Sequence, residues 1–106
     1  MAEGIKALLS ELKVGLGHIY GARLREVCLY GSYARGEADS ESDVDVIIVL
    51  DEVVRYGEEL DRTSVLVSDV SLKYGLAVSR VFVSEREWTL HGTSFLANVH
   101  QEAIPA

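Results

Sequence analysis

The segment "DVDVIIVL", Asp43 to Leu50, constrains the fold most, because it runs from two aspartates into an unbroken apolar stretch. Val and Ile are stiff at Cβ and suit extended backbone, so the segment reads as a strand buried in a core. Side chains alternate across a strand, which turns Asp43 and Asp45 to one face, about 6.6 Å apart along the backbone. Ile47 and Val49 continue that face into the core. Two like charges side by side repel, and burying them without a cation is costly. Either this strand end is open to water or something positive sits there. Hard oxygen donors with no His or Cys close by favour Mg²⁺, with Mn²⁺ next.

Around this strand the hydrophobic spacing predicts the remaining elements. Ile5, Leu8, Leu9, Leu12, Leu16 and Ile19 recur at helical intervals, giving an amphipathic helix over Glu3 to Tyr20 that Gly15 and Gly17 weaken. Glu26 to Tyr30 reads as a short strand with Val27 and Leu29 on one face and Cys28 and Tyr30 on the other. A helix over Arg55 to Tyr74, closed by Gly75, leads into a third strand, Leu76 to Val83. Ser84-Glu85-Arg86-Glu87 is a capping-box signature, and a last helix spans Ser94 to Ala103. This order predicts an α+β fold in which helices cover one small mixed sheet, as a single domain over residues 1–106.

Composition narrows the function. A net charge of −7, with ten scattered Lys and Arg, argues against nucleic acid, whose backbone is bound by clustered cations. Cys28 is the only cysteine, so no internal disulfide forms, which fits a reducing cytoplasm. No apolar run approaches the roughly 20 residues of a membrane span. His18, His91 and His100 lack metal-ligand spacing and read as surface or satisfied core residues.

Gly31-Ser32 ends the strand before the paired aspartates. Gly31 lets the backbone turn sharply and a bulky ligand come close, and Ser32 can cap the short helix that follows. If the two strands are neighbours, a phosphate-binding turn faces a metal-binding pair, the minimum for metal-assisted phosphoryl or nucleotidyl transfer. Other motifs fail. Gly31 to Gly36 has the glycine spacing of a P-loop, but Glu37 stands where its lysine must be. An EF-hand starting at Asp39 would need Gly and Glu where Val44 and Leu50 stand.

Gly31-Ser32, ten intervening residues, then Asp43-Val44-Asp45 resemble the signature of the DNA polymerase β-type nucleotidyltransferase superfamily, with Ala34, Arg35, Gly36 and Ser42 meeting its fuller form. Length and element order are similar to the minimal nucleotidyltransferases. The resemblance implies a nucleotidyltransferase fold that moves a nucleoside monophosphate, AMP above all, from an NTP to an acceptor hydroxyl. It implies that Gly31 and Ser32 hold the triphosphate and that Asp43 and Asp45 are catalytic and bind Mg²⁺. Arg35 either touches phosphate or pairs with a loop acid. Minimal members commonly pair with a small helical HEPN protein as toxin and antitoxin, so ATP and such a partner are expected here. Self-association is a further expectation, from the apolar last helix.

Many active relatives carry a third carboxylate on the strand after the next helix. That strand here, "LAVSRVFVS", has no acid, and Asp51 lies too far along its own strand to help. Glu85 and Glu87 are the nearest substitutes. An alternative therefore stands beside the enzyme: a non-catalytic nucleotide-binding or toxin-neutralising partner.

Overall fold

The computed structural model describes residues 3–106. Strand β2 (Val44–Leu50) lies inside a four-stranded sheet of order β3-β2-β1-β4. β1 (Leu24–Tyr30) pairs antiparallel with β2 and with the two-residue β4 (Ile104–Pro105), whereas β3 (Val78–Ser84) runs parallel to β2. A parallel pair needs a long crossover. Helix α3 (Tyr56–Tyr74) provides it, closed by Gly75 as expected.

The apolar run in β2 is continuous because both of its faces are covered. Val44, Val46, Ile48 and Leu50 join the core formed with α1 (Glu3–Tyr20) and α3. Ile47 and Val49 pack with Cys28, Trp88, Leu96 and Val99 beneath α4 (Glu85–Leu90) and α5 (Ser94–Glu102). β1 divides as its alternation predicts, with Val27 and Leu29 in the first core and Cys28 in the second.

Helix α1 spans its predicted length without a break at Gly15 or Gly17. Gly15 faces the end of the Leu66 side chain on α3, which would have to shift to admit a β-carbon there. Ile19 is exposed, and Tyr20 takes the buried place at the end of the stripe. The capping box forms as read, with Glu87 N–H donating to Ser84 Oγ at 3.1 Å. The elements missing from the sequence expectation are a 3-10 turn at Gly21–Arg23 and β4, both too short to carry a periodic signal.

A polar network closes the α1–α3 side. Glu59 is buried and accepts hydrogen bonds from Tyr20 Oη at 2.9 Å and Arg23 Nη2 at 3.2 Å. Buried Thr63 accepts from Arg80 Nε at 2.7 Å and donates to the Glu59 carbonyl at 2.9 Å. Arg23 also holds Asp51 at 3.0 Å.

Candidate active site

The register of the sheet assembles a cleft at the end of β1 and the start of β2. Tyr30 pairs with Asp45 and Asp45 with Ser79, so the three occupy one lateral row. Above this row opens a cleft of about 390 Å³, lined by Tyr30, Gly31, Ser32, Arg35 and Asp45 and by Phe95, Asn98, Val99 and Glu102 of α5. Leu96 and Val99 anchor α5 to the sheet. Phe95, Asn98 and Glu102, three and four residues apart, therefore share the helix face that walls the cleft.

Gly31 is fixed there by two constraints. Its backbone is left-handed, with φ +78° and ψ −156°, a conformation that costs any residue with a β-carbon. A methyl group at this position would also overlap Asp45 Oδ2. Gly31, rather than Ser32, is the N-cap of the short helix α2 (Ser32–Arg35), and no side chain caps that helix. Ser32 is its first helical residue, and among the described residues its hydroxyl makes no hydrogen bond, which leaves it available at the cleft. The capping role expected of Ser32 is thus filled by backbone, with Arg35 N–H donating to the Gly31 carbonyl at 3.1 Å.

Between α2 and β2 the chain turns on Asp39 and Ser42. Asp39 N–H donates to Ser42 Oγ at 3.0 Å, and Glu41 N–H to Asp39 Oδ1 at 2.8 Å. This closed turn delivers Asp43 to the strand entrance. Asp43 is exposed and stands one residue ahead of β2, at the rim, whereas Asp45 is half-buried and lines the cleft. Among the described residues neither carboxylate has a hydrogen-bonding or ion-pairing partner. Burial first, and then the charge of Asp43, push the Asp45 carboxyl above its ordinary value. Burial, with Asp45 beside it, likewise pushes the Tyr30 phenol up to about 12.

Arg35 pairs with a loop acid, Glu37, at 2.7 Å, and also with Glu102 at 2.9 Å. Glu102 is the residue that sequence reasoning missed. Its Oε2 accepts from both Gly31 N–H and Arg35 Nη1. The placement follows from β4: Cys28 faces Pro105, Leu29 faces Ile104, and Ala106 N–H donates to the Val27 carbonyl at 2.9 Å. Continuing that register two residues back from Ile104 sets Glu102 opposite Gly31. The other substitutes stay away. Glu87 is held in its capping box, Glu85 lines a separate groove with Asp51, and Asp51 is paired with Arg23. His91 and His100 stack beside Trp88, outside the cleft. Among the described residues no cluster of three or more His, Cys, Asp and Glu is placed to hold a metal, so the protein's own donors at this site amount to a carboxylate pair. No helix among them is long and apolar enough to cross a membrane.

Comparison with known proteins places the fold and the family. A solved structure described as a "putative minimal nucleotidyltransferase" superposes with a TM-score of 0.61 at 24% identity, covering 95% of this chain and 94% of that one. The crystal structure of a toxin–antitoxin with AMP-PNP aligns with a TM-score of 0.58 at 17% identity, over 89% of this chain and 68% of that one. At such identities these likenesses speak for the fold. In sequence, the protein of Methanocaldococcus jannaschii named "Putative protein adenylyltransferase MJ0141" is 38% identical over 97 residues, covering 92% of this chain and 93% of the relative. The profile of the nucleotidyltransferase domain matches residues 9–102. With that match across almost its whole length, the chain belongs to the nucleotidyltransferase family of enzymes.

Proposed function

We propose that the protein transfers AMP from ATP to a hydroxyl of a protein partner, with Mg²⁺ held by Asp43 and Asp45. The observation that carries this reading is the aspartate pair, unpartnered among the described residues, beside a left-handed turn at Gly31. Asp45 is half-buried next to a second carboxylate, with its own carboxyl shifted against ionisation. A cation is what such a pair lacks. The donor set fits Mg²⁺, which is bound through one or two carboxylates and completes its shell with phosphate oxygens and water. When bound, it would neutralise charge on the phosphates as the transfer proceeds.

The residues of the chain then divide the work. Gly31 offers its N–H and its lack of a side chain to the triphosphate, and Ser32 a free hydroxyl. Arg35 gives a forked guanidinium that suits phosphate oxygens. Phe95 and Asn98 wall the cleft on the α5 side. The acceptor oxygen attacks the α-phosphorus, the α–β anhydride bond breaks, and pyrophosphate leaves. The strand position beside Asp45 is Ser79 rather than an acid, so the hydroxyl proton passes to a base outside that strand, on the partner or on the nucleotide itself.

The partner is read as a toxin of the HEPN type. The toxin–antitoxin fold neighbour with AMP-PNP supports a toxin partner, the adenylyltransferase named among the relatives supports transfer of AMP to a protein, and the HEPN type is what the family resemblance implies. Calorimetric titration of ATP with and without Mg²⁺, into the wild type and into Asp43→Asn and Asp45→Asn, tests the site. Metal-dependent binding that both variants lose is the expected result. Binding that ignores the metal or survives both changes would sink the reading. Incubation with radiolabelled ATP and the co-expressed partner then tests the acceptor.

A further inference from the structure

The two donors assigned above to phosphate are engaged in the free protein by a carboxylate of the chain itself. Glu102 Oε2 accepts from Gly31 N–H and, at 2.9 Å, from Arg35 Nη1. One oxygen anion on two converging donors is how a phosphate oxygen would sit there. Nothing about α5 alone calls for this contact. The helix is already anchored by Leu96 and Val99. Meanwhile Glu102 adds a third negative charge to a cleft that already holds Asp45, with Asp43 at its rim.

We infer that Glu102 is a specificity-determining residue: an internal anion that occupies the phosphate seat and yields it only to a ligand of higher negative charge that brings its own cation. That ligand is a metal-bound nucleoside triphosphate. This inference rests on the nucleotide reading of the cleft.

The selection arises because Glu102 cannot go far. β4 pins the chain two residues beyond it, so a displaced carboxylate still faces whatever takes its seat. A nucleoside monophosphate, at about −1.5 to −2, brings a single phosphate without the further oxygens that would share a cation with the aspartate pair, and still meets that repulsion. A triphosphate gains several oxygens on Arg35 and Gly31, and the cation at the aspartate pair offsets the charge. Glu102 therefore penalises monophosphates more than triphosphates.

The test is calorimetric titration of ATP and of AMP, each with Mg²⁺, into the wild type and Glu102→Gln. Gln keeps the shape and removes the charge. The seat then opens to weaker anions, and AMP should bind about tenfold tighter or more, the worth of a charge-assisted hydrogen bond. ATP should gain less, so the preference between the two narrows. Glu102→Asp keeps the charge but draws it back from Gly31, and should fall between the two. It also serves if the Gln variant folds poorly by its thermal melt. An unchanged preference, or weaker AMP binding in Glu102→Gln, would overturn the inference, because Glu102 would then merely support Arg35. Failure of the underlying reading looks different: the wild type itself would bind no ATP with Mg²⁺, and both assignments would fall together.

Discussion

Two acidic constellations lie on opposite faces of the same sheet, and they are built on opposite principles. On the α1–α3 side, Glu59 is buried but answered by Tyr20 and Arg23, with Arg62 at 3.5 Å, and Thr63 beside it by Arg80. On the α5 side, Asp45 is half-buried beside Asp43 with no partner among the described residues, and Arg35 serves Glu102 and Glu37 instead. A charge whose partners are all within the chain is scaffold. A charge left without one, next to another of its own sign, is held ready for something that the chain does not contain.

That contrast can be broken or sharpened in four ways. The largest effect belongs to the cleft. Changing Asp43 and Asp45 together to Asn should lower the proposed AMP transfer by about a thousandfold or more, since the charge proposed to hold the metal disappears. The thermal melt of that variant should not fall, because no internal partner is lost. Steady-state transfer assays and a melt on the same sample check both halves. A large loss of stability would erase the contrast.

Glu59→Ala should do the reverse. Removing an answered buried charge strands the Tyr20 hydroxyl and leaves Arg23 with Asp51 alone among its acids, at a cost of about 2 kcal/mol. Urea unfolding reads that loss. ATP affinity of the remaining folded protein should stay as in the wild type.

Gly31→Ala lies between the two, since it damages fold and site together. The left-handed backbone and the overlap with Asp45 Oδ2 should cost about 2 kcal/mol of stability. ATP binding should be lost in the same variant.

The smallest effect is a gain. The Asp45 carboxyl is raised in the folded protein, chiefly by burial and then by Asp43. The folded state therefore holds its proton longer than the unfolded chain does. Stability is full below the ordinary aspartate range and falls as pH rises through the raised value. Without metal, Asp45→Asn should stabilise the protein by about 1 kcal/mol at neutral pH. At acid pH, where both states are protonated, the gain should vanish. Melts of the two proteins across pH, in the presence of a chelator, measure the difference.

Much of this was legible without coordinates. The spacing of apolar residues gave α1 its limits at Glu3 and Tyr20, and the run after Asp45 marked the buried strand. Ser84 and Glu87 announced their own cap. Gly31, Asp43 and Asp45 could be singled out because each breaks a local rule: a glycine closing a strand, and like charges sharing a face. Ser32 was misassigned as a cap, since an offset of one residue at a helix start cannot be resolved from spacing. Glu102 carried no signal whatever. It is one acid among seventeen, at the end of an ordinary amphipathic helix.

The sequence by itself thus determined the longer elements, the buried strand and the aspartate pair, because those follow from interactions between residues close along the chain. Tertiary structure alone decided that Glu102 meets Gly31 and Arg35. That meeting depends on a two-residue strand returning to β1 some seventy residues later. A pairing so short has no periodicity of its own, and only the packed sheet fixes its register.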